Sequence, residues 1–314
     1  MRVFVAGASG AVGRCLVPRL VDAGHDVTGS TQSAEKLDLV RAMGADPVVM
    51  DGLDAESVWN AVTKSVPEVV VHELTALSAP TNMRKFDESF AVTNRLRTEG
   101  TEHLLAAAHG AGARRFVAQS FTGWCNQRVG GPVKSETDPI DPDPTRPSRD
   151  TIAAIRSMES TVEQQAALEP VVLRYGVLYG PGTGIGPGGD VVETVRKRRL
   201  PVVGGGTGVW SFVHVDDAAQ ATAAAVDSDV VGPYNIVDDD PALVAQWLPI
   251  LARSVGAKPP MRLPTWLGRP LLGEHGMSMM TQVRGSSNAK ARRDLWQPAR
   301  RSWRQGFPEV FARP

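Results

Sequence analysis

The chain has 314 residues, of which 42% are hydrophobic and 22% are charged, as in ordinary globular proteins. Lysine plus arginine equals aspartate plus glutamate at 34 each, so no net field favours nucleic acid or an anionic membrane. These values exclude a disordered or fibrous chain and leave a small molecule as the expected substrate.

The cysteines and the N-terminus indicate the type of site and the cellular compartment to expect. Cys15 and Cys125 lie far apart and outside any metal-ligand spacing, so neither a disulfide framework nor a metal site is expected. The N-terminus starts directly with a strand pattern, without a charged head and an apolar signal core, and no apolar run is long enough to span a membrane. We therefore expect a cytoplasmic protein without a membrane partner.

Strand and helix patterns alternate along the first part of the chain. Apolar runs predict strands at residues 2–6, 26–30, 47–50, 69–72, 116–119 and 171–175. Helical spacing is found at residues 12–23, 97–108 and 149–160, among other segments. Such alternation predicts right-handed βαβ crossovers, and hence a doubly wound α/β fold with a parallel sheet of the Rossmann type.

After residue 180 the pattern becomes irregular. The stretches "PGTGIGPGGD" and "AKPPMRLPTW" are rich in glycine and proline and are typical of loops over the C-terminal edge of the sheet. We predict a dinucleotide-binding domain at residues 1–176, continued by 210–237. Residues 177–209 and 238–314 are predicted to form a smaller substrate-binding lobe.

The most specific motif is "GASGAVG", which places Gly7, Gly10 and Gly13 between the first strand and the first helix. Glycines let the backbone approach a pyrophosphate, and the start of the helix supplies amide groups and the positive end of its dipole. Because the motif lies within a βαβ unit, it predicts a dinucleotide site rather than a structural turn.

The end of the second strand indicates which dinucleotide binds. An acidic residue there would hold the ribose 2′-hydroxyl of NAD, but residues 30–33 are Ser, Thr, Gln and Ser, and the first carboxylate is Glu35. Thr31 and Gln32, helped by Arg14 or Lys36, suit a 2′-phosphate. We therefore expect NADP, with NAD as the alternative.

Several further segments resemble one family. The glycine turn, "VVMDGLD", "VVVHELTAL", "LRYGVLYGPG" and "WSFVHVDDAAQA" are similar to those of extended short-chain dehydrogenases/reductases of the NAD-dependent epimerase/dehydratase type, over almost the whole chain. The resemblance also suggests a homodimer through the helices around Arg97 and Ile155. It implies that Asp51 meets the adenine and that Tyr175, Gly176 and Val177 reach the nicotinamide. Together with the residues of the glycine turn and of the second strand end, the predicted cofactor contacts are Gly7, Ser9, Gly10, Ala11, Val12, Gly13, Thr31, Gln32, Asp51, Gly52, Leu74, Thr75, Ala76, Tyr175, Gly176 and Val177.

The resemblance fails where proton transfer should occur. The family uses a tyrosine one helical turn before a lysine, but no Tyr-x-x-x-Lys sequence exists in this chain. Aligning Glu159 with the glutamate that usually follows the pair puts Thr151 at the tyrosine and Ile155 at the lysine. Arg97 also stands where the family commonly has asparagine.

Candidate replacements for the missing groups come from two strand ends. "FVAQSFTGW" offers Ser120 or Thr122 as the hydroxyl that orients a substrate, or no hydroxyl if Phe121 takes this place. Tyr175 is the candidate proton donor, with packing against the cofactor as its alternative role. Lys134, Glu136 and His214 are weaker candidates, more typical of solvated loops or of a structural histidine.

Three functions are consistent with these residues. We expect an NAD(P)-dependent oxidoreductase or epimerase/dehydratase-like enzyme that acts on a small carbonyl or hydroxyl metabolite with a non-standard proton donor. A non-redox isomerase, cyclase or lyase for a hydrophobic metabolite is one alternative. A non-catalytic NADP-binding sensor or scaffold is the other.

Overall fold

The computed structural model describes residues 1–77 and 81–312. The strands are β1 (Arg2–Ala6), β2 (Asp26–Thr31), β3 (Asp46–Val49), β4 (Val69–His72), β5 (Arg115–Phe121), β6 (Val133–Lys134), β7 (Glu169–Tyr175), β8 (Val177–Tyr179), β9 (Val202–Val203), β10 (Val209–Trp210), β11 (Phe212–His214), β12 (Gly232–Ile236), β13 (Ala242–Leu243), β14 (Arg262–Leu263) and β15 (Gly285–Ser286). The helices are α1 (Ala11–Asp22), α2 (Leu37–Ala42), α3 (Ala55–Ser65), α4 (Phe86–Arg95), α5 (Thr101–Gly110), α6 (Arg149–Glu163), α7 (Asp190–Arg196), α8 (Val215–Asp227), α9 (Val244–Ser254), α10 (Thr265–Thr281), α11 (Ala289–Asp294) and α12 (Trp303–Phe311). A π-helical turn at Leu96–Gly100 joins α4 to α5.

A seven-stranded sheet in the order β12-β7-β5-β4-β1-β2-β3 forms the centre of the fold. Every neighbouring pair in it is parallel. Strand order reverses between β1 and β4, and ligands of doubly wound folds bind at such a point, outside the carboxyl ends of the strands. The predicted fold class is confirmed.

The central strands of the sheet bury both of their faces, whereas the edge strand β3 is partly exposed. Val3 and Val5 of β1 pack into the core that faces α1 and α8, whereas Phe4 and Ala6 pack into the core that faces α3 and α5. Burial on both faces explains why central strands such as "VVVH" are continuous apolar runs rather than alternating ones.

Besides the cores on the two faces of the sheet, a third core lies among the later elements of the chain. Trp247, Trp303, Phe212 and Phe307 are fully buried in it, and Trp303 and Phe307 lie 5.6 Å apart by ring centroid. Trp296, in contrast, packs into the core between the sheet, α1 and α8. Since Phe212 and Trp296 each cross the predicted boundaries, the division into a dinucleotide domain and a substrate lobe stays a prediction.

The predicted elements agree closely with the observed ones. Strands β1 and β4 have the predicted bounds, and α6 extends the predicted helix to Glu163. The helix predicted at residues 97–108 instead begins with the π-helical turn, because α4 runs into α5 with a locally widened backbone. In the described residues no helix combines the length and apolar character that crossing a membrane requires.

Candidate active site

The glycine turn between β1 and α1 leaves no room for side chains. Gly7 has a φ of +98°, and a Cβ added to it would lie 2.8 Å from the carbonyl oxygen of Glu73. A Cβ on Gly13 would lie 2.5 Å from the carbonyl oxygen of Gly7. Gly10 is the exposed N-cap of α1, so a phosphate can approach the amide groups and the dipole of the first helical turn. This cradle fits the pyrophosphate of a dinucleotide.

Hydroxyl groups surround the end of β2 beside the turn. The Ser30 hydroxyl accepts a hydrogen bond from the backbone N–H of Gly7 at 3.2 Å, and the Thr31 hydroxyl lies 3.1 Å from that of Ser9. The exposed Arg14 donates from Nε to the carbonyl oxygen of Ser9 at 2.9 Å. A guanidinium therefore lies next to the hydroxyls on the side where an adenosine ribose would bind.

The other predicted cofactor residues lie in α1 or follow strands β2, β3, β4 and β7. Asp51 is exposed and accepts the backbone N–H of Leu53 at 3.0 Å. Gly52 is buried, and a Cβ on it would lie 2.6 Å from Leu74 Cδ1. The predicted contacts not yet placed are Ala11 and Val12 in α1, Gln32 after β2, Thr75 and Ala76 after β4, and Gly176 and Val177 after β7. Contact of each residue with a cofactor stays a prediction.

Helix α6 contains no acid at the positions of the family pair. Thr151 is fully buried, donates from its hydroxyl to Asp87 Oδ1 at 2.6 Å and accepts from Asn94 Nδ2 at 3.0 Å. Ile155 is also fully buried and packs with Ile152. Both isoleucines are therefore buried within the single chain, and the predicted homodimer contact through this helix stays untested.

The hydroxyl groups of Ser120 and Thr122 both have close protein partners. Ser120 donates to Glu159 Oε1 at 2.6 Å, and the same carboxylate accepts from Arg174 Nη2 at 2.6 Å. The Thr122 hydroxyl lies 2.6 Å from that of Ser286. Ser120 lies on the α6 side of the sheet, where substrate orientation was expected, but catalysis by either hydroxyl stays a prediction.

Tyr175 points to the opposite face of the sheet from α6. Side chains alternate along a strand, so Tyr175 shares the face of Val171 and Leu173, which packs against α1 and α8. The tyrosine is 1% exposed, and its hydroxyl donates to Glu73 Oε1 at 2.7 Å and contacts the Thr222 hydroxyl. The phenol is thus enclosed in the core.

Burial controls the ionisation of Glu73 and Tyr175. It raises the pKa of Glu73 to about 8, although the hydrogen bond from Tyr175 opposes the shift. Burial and the neighbouring Glu73 charge raise the pKa of Tyr175 well above 10. Both groups are therefore protonated at neutral pH. The assignment of Tyr175 as a proton donor stays a prediction, and the enclosed position of its hydroxyl argues against it.

The weaker candidates have structural partners. His214 caps α8 by accepting a backbone N–H at its Nδ1, and burial lowers its pKa to about 4. Lys134 forms an ion pair with Asp138 at 3.2 Å. Glu136 accepts the backbone N–H of Asn235 at 2.8 Å. His214 thus has the structural role that the sequence favoured. Lys134 was expected in a solvated loop, but it lies in β6 and is only 6% exposed, because its ammonium group pairs with Asp138 at the edge of a packed segment.

A cavity of about 390 Å³ lies at the same edge of the sheet, close to the size range of small-molecule sites. Its wall is mostly apolar and includes Phe90, Val177, Trp210 and Met279. Arg199 and Asp190 are charged residues of opposite sign in this wall. Since Val177 is also a predicted nicotinamide contact, the cavity is the candidate substrate pocket.

Comparison with known proteins agrees with this geometry. Residues 3–237 match the sequence model of the NAD dependent epimerase/dehydratase family. The chain belongs to this family. One curated relative of this chain is a "3-diazoavenalumate denitrifying reductase" from Streptomyces sp. The two sequences are 46% identical over 312 residues, which cover 98% of this chain and 99% of the relative. A "4-hydroxy-2-methyl-3-oxo-4-farnesyl-3,4-dihydroquinoline-1-oxide ketoreductase" from Stigmatella aurantiaca is 29% identical, covering 82% and 74%.

Solved structures of the family have the same architecture. The UDP-glucose 4-epimerase of Thermus thermophilus, in complex with NAD, has a TM-score of 0.74 and 25% identity, covering 99% of this chain and 98% of the epimerase. A human epimerase family protein with NADPH has a TM-score of 0.75 and 18% identity over the full length of both chains, a likeness of fold alone. The family and the reductase relative identify this chain as an enzyme of the extended short-chain dehydrogenase/reductase type that uses a nicotinamide cofactor.

Sequence reasoning missed Glu73 as a partner of Tyr175. Its signal was a carboxylate directly after the buried run "VVVH", a position where an acidic side chain needs a partner or a proton. The alternation of side chains along β7 could also have placed Tyr175 opposite α6.

Proposed function

We propose that this family member is an NADPH-dependent reductase that replaces the diazo group of a small conjugated carboxylate by hydrogen and releases N₂. The observation that carries the proposal is the buried Thr151 and Ile155 on α6, at the positions of the proton-transfer pair, in a chain that keeps an intact dinucleotide cradle. The name of the Streptomyces relative, a denitrifying reductase for a diazo compound, supports the same chemistry.

The missing acid is consistent with the proton balance of this reaction. Reducing a carbonyl adds hydride to carbon and leaves an alkoxide that needs a proton, which the family tyrosine supplies. A diazonium group already carries the positive charge. When the hydride is delivered, a C–H bond forms in the product, the C–N bond breaks and its electron pair leaves with N₂. A dinucleotide bound in the cradle would supply this hydride and be oxidised. A diazonium without an ionised hydroxyl consumes no net proton, whereas a substrate with a deprotonated ortho-hydroxyl gives a phenolate that takes one proton from water and needs no acid from the enzyme.

The chain's own residues then bind, orient and shield the reactants. The cradle around Gly7 and Gly10 would bind the pyrophosphate, and Thr31 and the exposed Gln32, with Arg14, favour the 2′-phosphate of NADPH. The mostly apolar cavity wall offers few hydrogen-bonding groups to water, which would otherwise compete for the diazonium carbon. In this proposal Tyr175 is a packing residue of the core.

Turnover of a defined diazo compound tests the proposal. Diazotised 3-amino-4-hydroxybenzoate, labelled with ¹⁵N in the diazo group, is incubated with enzyme and with NADPH carrying deuterium at C4. We expect one labelled N₂ for each NADPH oxidised, and deuterium on the product carbon that carried the diazo group. Gly10→Val and an enzyme-free sample are the controls for direct chemical reduction. If the wild-type protein binds NADPH but releases no N₂ above these controls, the proposal is wrong.

Ketone reduction is the second candidate, favoured by one observation. Tyr175 donates to Glu73, whose pKa of about 8 leaves it protonated at neutral pH, so the pair holds a transferable proton. This function matches the Stigmatella aurantiaca relative, named a ketoreductase. It requires the core to open at Tyr175. A screen of small ketones with NADPH, compared between the wild-type protein and Tyr175→Phe, separates the two candidates.

A further inference from the structure

Arg97 is a buried arginine at an unusual backbone position. It lies in the π-helical turn Leu96–Gly100 between α4 and α5 and is only 7% exposed. Single π-helical turns inside α-helices are found frequently at functional sites, because the widened turn displaces a side chain from its regular position. In the related family an asparagine commonly occupies this place.

The positive charge of Arg97 lacks a counter-charge. Within residues 1–77 and 81–312, no carboxylate lies within ion-pair distance of its guanidinium, and its hydrogen bond from Nη1 to Asn94 Oδ1 is long, at 3.4 Å. The carboxylate of Glu159 lies beyond ion-pair distance, although its charge raises the pKa of Arg97, and it is already bonded to Arg174 and Ser120. Burial lowers the pKa of Arg97 to about 10, so the side chain is still cationic at neutral pH.

A buried cation without a partner is costly to maintain. Removing an ion from water costs several kcal/mol unless an opposite charge and good hydrogen bonds compensate. An arginine at such a place is therefore explained if its anionic partner arrives with a ligand. The planar guanidinium is suited to a carboxylate, to which it can donate two parallel hydrogen bonds.

Two contacts connect Arg97 to the candidate substrate pocket. Its guanidinium carbon lies 5.9 Å from the ring centroid of Phe90, and Phe90 forms part of the cavity wall. Asn94, the acceptor of Arg97, also donates to Thr151, which occupies the position of the family's tyrosine. Arg97 thus lies beside Phe90 of the cavity wall and is connected through Asn94 to Thr151.

We propose that Arg97 binds the carboxylate of the substrate and restricts the pocket to molecules that carry a carboxylate. The inference rests on the proposed function for the substrate class. Arg97 repels a simple diazonium cation, whereas a diazonium that carries its own carboxylate is neutral overall and supplies the missing counter-charge. Arg97 is therefore a specificity-determining residue for inner-salt substrates.

Binding of an unreactive probe tests this role without turnover. Calorimetry in saturating NADP⁺ compares 4-hydroxycinnamate with its methyl ester, which keeps the planar conjugated frame, adds one methyl group and lacks the charge. In the wild-type protein we expect the acid to bind about tenfold or more tightly than the ester, the size of effect typical of a hydrogen bond to a charged group. Arg97→Gln should abolish this preference, and Arg97→Lys should keep part of it.

Two control variants make the result specific. Arg95→Gln removes an exposed arginine of the adjoining helix, which pairs with Glu99, and should leave the preference unchanged. Arg199→Gln removes the cation in the cavity wall. Loss of the preference in Arg199→Gln alone would overturn the proposal, as would a folded Arg97→Gln protein that still prefers the acid.

If Arg97→Gln does not fold, the wild-type protein alone still tests the proposal. Equal affinity of the wild-type protein for the acid and for the ester would overturn it. The outcome is also separate from that of the proposed function. Release of N₂ measures the reaction, whereas the preference for the acid measures Arg97 in a ligand that cannot react. A protein that prefers the acid but releases no N₂ keeps the role of Arg97 and loses the diazo chemistry.

Discussion

Glu73 allows a quantitative test of the buried pair below the glycine turn. Its carboxyl is 6% exposed, and burial raises its pKa from 4.5 to about 8 in the folded protein. Between these pH values the folded chain keeps a proton that the unfolded chain releases, so the free energy of unfolding falls as the pH rises. At about 1.36 kcal/mol per pKa unit, the rise of about 3.5 (8 minus 4.5) corresponds to a loss of about 5 kcal/mol.

Glu73→Gln removes the titrating proton and keeps an acceptor for the Tyr175 hydroxyl. We expect the variant and the wild-type protein to have similar stability below pH 4.5, and the variant to be more stable above pH 8, by an amount approaching this loss. Urea denaturation followed by circular dichroism from pH 4 to pH 9 measures the difference. Glu102→Gln, an exposed carboxylate on α5, is the control and should not alter the pH dependence. Parallel stability curves for Glu73→Gln and the wild-type protein would refute the reasoning.

Three further substitutions test the site. Tyr175→Phe removes the donor to Glu73 and should lower the free energy of unfolding by about 1–3 kcal/mol with unchanged kcat, whereas a loss of about 100-fold to 10,000-fold would identify Tyr175 as the acid. Gly10→Val adds a branched side chain where a Cβ already approaches the Gly7 carbonyl oxygen to 3.2 Å, and calorimetry should show NADPH affinity reduced by about tenfold or more in a folded protein. Unchanged affinity would contradict the cradle. Thr151→Val removes hydrogen bonds to Asp87 and Asn94, and should lower stability by about 1–3 kcal/mol without changing the pH profile of kcat. If the variant lost the rise or the fall of kcat with pH that the wild-type protein shows, the Thr151 hydroxyl would take part in proton transfer.

Much of the fold could be predicted because its signals are local. The apolar run at residues 69–72 and the strand at residues 2–6 have the predicted bounds, since a strand buried on both faces needs nothing beyond consecutive apolar residues. The cradle was also predictable, because Gly7 and Gly13 are required by backbone geometry within a few residues of chain. The missing acid pair on α6 was visible for a similar reason, since tyrosine and lysine must lie one helical turn apart.

The partners of the candidate side chains could not be predicted in this way. Tyr175 was singled out as a proton donor from its place at the end of β7, but its partner Glu73 comes from the segment after β4, and the alternation of the strand turns the hydroxyl away from α6. Arg97 was noted as a departure from the family pattern, whereas the absence of a counter-charge emerges only once Glu159 is seen paired with Arg174.

The sequence by itself determined the parallel sheet, the dinucleotide cradle and the loss of the usual acid, because each depends on residue types at short, fixed spacings. The tertiary structure alone decided which groups are enclosed and which charges are compensated. Burial of Glu73 and Arg97 depends on elements far apart in the chain, and only their packing sets the local dielectric and the distances that govern ionisation.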